Sequence, residues 1–153
     1  MIAEPNIVAQ EILTFGNGDQ EGFDNWPNSI AQAAELWANV VEICAGDVIP
    51  TSSNKPIAKT LFINTFNTMS IQAQNGYEVF SQALMDYATS LALGMTASGF
   101  TGTPPPIPFE FNMQGLISGS SAAEALRLST DLVNWFKTGT ATNISTGATI
   151  NWS

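Results

Sequence analysis

The chain has 153 residues, a formal charge of −9 from thirteen acidic and four basic residues, no histidine and one cysteine. The missing imidazole removes the proton shuttle that works near neutral pH and the commonest metal ligand, and four basic residues are too few to clamp the phosphates of a nucleic acid. With 44 % apolar but only 11 % charged residues, against about 25 % charged in ordinary globular chains, the surface must be built mainly from Ser, Thr, Asn, Gln and Gly.

A chain of this length is expected to close a single core. Its charge-poor surface is unusual for a protein that stays alone in solution, and it is less surprising if neighbouring proteins cover much of it. The acidic bias belongs to one end. Glu4, Glu11, Asp19, Glu21, Asp24, Glu35, Glu42 and Asp47 all precede the first basic residue, Lys55, which makes a basic protein surface or a cation the expected partner of that end. The opening MIAEPNIVAQ has neither a basic segment nor a continuous apolar run, so no signal peptide is predicted and a cytoplasmic origin is expected. No apolar run approaches the roughly eighteen residues of a membrane span, and no membrane association is expected.

Residues 1–28 read as an N-terminal arm followed by an acidic loop. Ile7, Val8, Ile12, Leu13 and Phe15 allow a single helical turn or a short arm, and 16–28 is rich in Gly, Asn and Asp. Asn17, Asp19 and Glu21, with Gly22 next, copy the start of a calcium loop, with oxygen ligands at its first, third and fifth positions. The twelfth position is Asn28, which cannot supply the bidentate carboxylate, so a solvated acidic loop is the better reading and no metal or cofactor is expected.

Residues 29–138 read as the helical domain. Ser29-Ile-Ala-Gln32 has the capping-box form, in which hydroxyl and amide satisfy the free backbone N–H groups at a helix start. Ile30, Ala33, Ala34, Trp37, Val41 and Cys44 then recur at helical spacing up to Gly46. Cys44 has no partner for an intrachain disulfide and lies among Val40, Val41 and Ile43, which predicts a buried thiol. Asn54 and Pro56 mark another helix start, with Ile57, Leu61, Phe62, Phe66 and Met69 as its apolar face. Asn75-Gly76 is a break or kink, after which Phe80, Leu84, Met85, Ala88, Leu91 and Ala92 resume the pattern; the two stretches form a helical pair or one kinked helix. From Gly99 to Gly115 the prolines 104, 105, 106 and 108 exclude helix interior and central strand, giving a stiff elbow that Phe100, Phe109 and Phe111 fold back onto the helices. A second capping box, Ser121 to Glu124, opens a last helix with Ala125, Leu126, Leu132, Val133 and Phe136 on one side.

Residues 139–153 carry no charge and alternate Thr with apolar residues, which suits an extended C-terminal arm. Thr140, Thr142, Ile144, Ile150 and Trp152 are its candidate interaction residues: an unpaired strand donated to a neighbour's sheet satisfies its N–H and C=O groups while Trp152 supplies an anchor. A hairpin folded onto the chain's own helices would satisfy the same groups.

The other candidate chemistries are thin. Asp19, Glu21 and Asp24, or Glu35 and Glu42 seven apart on one helix, could supply paired carboxylates, and Trp26 and Trp37 could stack a sugar, but a solvated helix face accounts for the acids equally well. Serine nucleophiles lack a His base, and Lys55, Lys59 and Lys137 lie in no nucleophile motif. A non-enzymatic protein is expected. The alternative class is a small carbohydrate- or peptide-binding module built on Trp26, Trp37 and the possible calcium loop.

Two stretches carry a family likeness: Leu93-Gly-Met-Thr-Ala-Ser-Gly-Phe-Thr-Gly-Thr-Pro-Pro-Pro106, and Trp135-Phe-Lys-Thr-Gly-Thr-Ala-Thr142 running on to Gly147 and Trp152-Ser153. With the helical body they resemble small virion proteins of tailed bacteriophages, of the kind found in the head-to-tail connector, tail or baseplate. The resemblance implies a role class alone: a structural subunit in a virion assembled in the host cytoplasm, touching copies of itself and other virion proteins. The fold expected from all of this is mainly α, a bundle of about four helices with a Pro-rich connector and an extended C-terminal arm.

Overall fold

The computed structural model describes residues 1–16, 30–72, 76–110 and 121–153. It is mainly helical: α1 (Pro5–Gly16), α2 (Ile30–Ala45), α3 (Lys55–Gln72), α4 (Gly76–Gly94) and α5 (Ser121–Phe136), with a short 3-10 turn at Met95–Ser98. A small antiparallel sheet of β1 (Phe100–Thr103), β2 (Thr140–Asn143) and β3 (Thr149–Asn151), in that order, completes it.

The N-terminal residues are part of the core rather than an arm. Pro5 opens α1 where its missing N–H costs nothing, and the Glu4 carbonyl accepts from Ile7 N–H at 3.0 Å. Ile2, Val8, Ala9 and Ile12 are buried, and α1 packs on α5 and α2. A helix of twelve residues is marginal in isolation, so this one depends on the faces it covers. Ala3 N–H also bonds the Cys44 carbonyl at the end of α2, at 2.9 Å.

In α2 the expected stripe turns inward, with Ala34, Val41 and Cys44 buried and Trp37 half-buried. In α3 the stripe is rotated by one position. Ala58 and Phe62 are buried and Phe66 half-buried, whereas Ile57 and Leu61 are 55 % and 40 % exposed. α3 and α4 are two helices forming an antiparallel pair, with Asn54 beside Ser90 at one end and Thr65 beside Asp86 further along. The Asn54 side chain does not cap its own helix: its Nδ2 donates to the Ser90 carbonyl at 3.1 Å, while Ser53 N–H donates to the Gly94 carbonyl at 3.1 Å. The turn entering α3 thereby satisfies the Gly94 carbonyl, which the end of α4 leaves open, and adds a second bond to the Ser90 carbonyl one turn earlier.

One chain of aromatic contacts links these elements. Trp37 meets Phe80 edge-on at 5.2 Å, Phe80 meets Phe62 and Phe109 at 5.9 and 6.0 Å, Phe109 meets Trp135 at 6.1 Å, and Phe136 joins Trp135 to Tyr87. Such edge-to-face pairs align ring edges with ring faces and add to the burial of the rings themselves. The elbow is held through this chain: Trp135 Nε1 donates to the Ile107 carbonyl at 2.7 Å and Ser81 Oγ to the Phe109 carbonyl at 2.9 Å. Phe100 is half-buried against the same core, and Phe111 lies outside the described residues.

The elbow begins later than the prolines' neighbourhood suggested, because Phe100–Thr103 is a strand. β1 crosses α4 so closely that a Cβ on Gly102 would lie 2.5 Å from the Ala92 carbonyl oxygen and 2.7 Å from Ala92 Cα. Only glycine lets the sheet dock there.

Candidate functional site

The C-terminal segment folds back on its own chain. α5 ends as Gly139 N–H bonds the Phe136 carbonyl at 3.0 Å, and β2 then runs beside β1, with Thr101 opposite Thr142 and Thr103 opposite Thr140. β3 returns along β2, placing Thr142 opposite Thr149 and Ala141 opposite Ile150. The turn between them is built by Asn143, whose Oδ1 accepts the N–H groups of Ser145 and Thr146, both at 2.9 Å. Gly147 supplies the left-handed residue that the turn requires, at φ 72°.

The expected extended arm is therefore a hairpin, and of the two ways to satisfy its backbone the chain uses its own. The physical reason is proximity. β1 sits on α4 within reach of the end of α5, so pairing in cis closes a short loop where pairing in trans would also cost the freedom of a second molecule. Trp152 is the anchor it was expected to be, but for its own fold: it is 1 % exposed, its N–H donates to the Gly139 carbonyl and its Nε1 to the Thr140 carbonyl, both at 2.8 Å.

The remaining candidate interaction residues divide by face. Thr140 and Thr142 are half-buried on the outer face of the sheet with Thr101, Thr103, Thr149 and Asn151; Thr142 and Thr149 share a hydroxyl contact of 2.9 Å. Ile150 lies on the opposite face, in register with Ala141, yet is exposed because β3 is the outer strand. Ile144 is exposed at the turn, with its N–H on the Gly99 carbonyl at 3.0 Å.

Periodicity could not reveal the contribution of Ile49. It exchanges two backbone bonds with Ser153, 2.7 Å from its N–H to the Ser153 carbonyl and 3.2 Å in return, and so prolongs the sheet by one bridge beyond β3. No sequence pattern marks such a pair across a hundred residues.

A second exposed apolar surface forms where Met1, Ala3 and Ile7 meet Ile43, Gly46, Glu42, Asp47 and Lys55 in a shallow depression. Its acids are partly spoken for, since Lys59 bonds Glu42 and Lys55 Nζ lies 3.6 Å from Asp47. The acidic N-terminal third is thus partly balanced by lysines that follow it in sequence. Glu42 cannot serve as one of a free carboxylate pair while it holds Lys59, and Glu35 lies exposed on α2. Trp37 packs into the aromatic core instead of presenting its ring. The calcium-loop candidates Asn17, Asp19 and Glu21, together with Asp24 and Trp26, lie outside the described residues.

Burial also sets the two buried acidic protons. Loss of solvent pushes the Cys44 thiol up to about 12, with Lys137 opposing weakly, and pushes the Tyr87 phenol up in the same direction, helped by Glu42 and Cys44. Cys44 is therefore a protonated, inert thiol. Among the described residues no group of three His, Cys, Asp or Glu converges on a point where a metal ion could sit, and no helix is long and apolar enough to cross a membrane. No protein-family model, curated protein or solved structure matches the chain.

Proposed function

We propose that this chain is a non-enzymatic structural subunit of a tailed-bacteriophage particle, working by protein–protein assembly in the head-to-tail connector, tail or baseplate. Its five helices act as one bundle that carries the sheet on one side, and the subunit assembles in the host cytoplasm with copies of itself and with other virion proteins. The observation that carries this reading is the distribution of exposed aliphatic side chains on a surface with little charge. Ile57 and Leu61 stand side by side on α3, Ile7 and Ile43 share one depression, and Ile49 and Ile150 flank the end of the sheet. Apolar groups so grouped gain by being covered, and the charges beside the Ile7 and Ile43 depression are already partly paired, Glu42 with Lys59 and Asp47 with Lys55. The likeness of residues 93–106 and 135–153 to phage virion proteins supplies the setting.

Co-expression with the structural proteins of a tailed-phage particle, followed by imaging with this chain labelled, tests the proposal. Label at a fixed position in the particle is the expected result. A chain that stays apart from every assembly, or that turns over a substrate in isolation, would overturn it.

A further inference from the structure

The elbow and the start of α4 border a surface groove of about 500 Å³. Met69 from the last turn of α3, together with Pro108 and Phe109, gives it an apolar lining, and Tyr77, 42 % exposed, stands beside them. Ser81 fixes its shape, because its Oγ bonds the Phe109 carbonyl at 2.9 Å and so holds the elbow against α4. Two exposed carboxylates complete the lining: Glu78 in the first turn of α4, and Glu110 in the elbow.

No cation of this chain serves them. All four basic residues are engaged or placed elsewhere: Lys59 bonds Glu42, Lys55 lies 3.6 Å from Asp47, Arg127 lies 3.9 Å from Asp131, and Lys137, just past α5, acts on Cys44. The positive end of the α4 dipole offsets Glu78 in part, whereas Glu110 lies in no helix. The groove is thus apolar within, acidic at its borders, and without a counter-charge among the described residues.

We infer that this groove receives an arginine side chain presented by another protein of the assembly. This rests on the assembly reading above and names the chemistry of one partner. The methylene stem lies along Met69, Pro108 and Phe109, and the guanidinium meets Glu78 and Glu110 beside the Tyr77 ring. Arginine fits better than lysine, because a planar fork can bond carboxylates and lie on an aromatic face together, which a compact ammonium cannot. A second copy is a poor source of the cation: three of its four basic residues are already paired, and it brings a charge of −9 of its own.

The test titrates the full chain with the blocked peptide acetyl-Gly-Arg-Gly-amide, followed by amide chemical shifts. The counterparts carrying citrulline, which keeps the shape without the charge, and lysine are run beside it. Saturable shifts at Tyr77, Glu78, Phe109 and Glu110 are expected, with weaker binding of both counterparts. Glu78→Gln with Glu110→Gln should weaken the arginine peptide by about fivefold or more, while Glu35→Gln, which removes an exposed charge on α2, should leave it unchanged. Shifts that miss the groove overturn the inference, as does a citrulline or lysine peptide that binds equally well, or an affinity that Glu35→Gln lowers as much as the groove variants do. Should the double variant be misfolded, the citrulline comparison decides. An arginine peptide that leaves the groove untouched, in a chain that still takes a fixed place in a phage particle, would sink this site and spare the assembly reading.

Discussion

Trp152 lies across Gly139 so closely that a Cβ at position 139 would come within 2.4 Å of indole Cδ2 and 2.7 Å of Cε3. The ring cannot slide away without losing its Nε1 bond to Thr140, so residue type at 139 and ring position at 152 are one constraint. Gly139→Ala should destabilise the fold by about 1–3 kcal/mol, as overpacking does, and Trp152→Ala by about 3–5 kcal/mol. In the double variant the two costs should not add, because without the indole the methyl group has room. Urea denaturation of the four proteins measures this cycle; full additivity would show that the contact is not what restricts residue 139.

Removing residues 140–153 takes away Trp152, the strand partners of β1 and the bridge to Ile49 together. The truncated chain should therefore lose stability, not simply a means of assembly. Thermal unfolding is the check, and a truncation that melts with the parent would mean that the hairpin does not brace the helical body.

Stability should fall in alkali. The ordinary values for Cys44 and Tyr87 are 9.0 and 10.0, and burial raises both in the folded protein. Below pH 9 the folded and unfolded chains hold both protons equally. Above it the unfolded chain releases protons that the folded one retains, so stability declines by roughly 1.4 kcal/mol per pH unit for each group once its unfolded form is ionised. The decline continues until the folded groups titrate, at about 12 for Cys44. Tyr87→Phe removes its share of the slope. Because the buried Tyr87 hydroxyl has no hydrogen-bond partner among the described residues, the variant should also be at least as stable as the parent at neutral pH. Urea midpoints against pH test both points, and a profile that stays flat through pH 10 would contradict the first.

Trp135→Phe keeps most of the aromatic packing and deletes the donor to the Ile107 carbonyl. The loss should be about 1 kcal/mol globally. Locally it should be larger in effect, because that bond and the one from Ser81 hold the backbone of residues 104–110 to α5 and α4 beside the ring contacts of Phe109. Faster amide exchange at Ile107 and Phe109, with the exchange of α4 unchanged, is the expected signature.

Local signals were enough for much of the helical body. The apolar spacing in α2 and α4 marked faces that are buried or half-buried, because a helix of ordinary length presents one stripe to its neighbours; in α5 Ala125, Leu132, Val133 and Phe136 turn inward as expected, whereas Leu126 is exposed. The buried state of Cys44 followed from its neighbours in the same way. In α3 the pattern was ambiguous, since Ile57 and Leu61 on one side and Ala58 and Phe62 on the other have equal helical spacing. Packing against α2 and α4 chose the second pair, and spacing alone carries no information about where a neighbouring helix lies.

The tail shows the division most sharply. Its Thr-rich alternation, lack of charge and terminal Trp152 mark residues 140–153 as strand-forming with an anchor, and any partner edge would have satisfied that pattern. Which edge it meets depends on Gly102 allowing β1 to lie against Ala92, on Gly139 making room for the indole, and on Ile49 arriving beside Ser153. A residue's own sequence neighbourhood determines its conformational preference and its appetite for burial; the identity of what buries it is a long-range property, decided only when the helices have placed their ends.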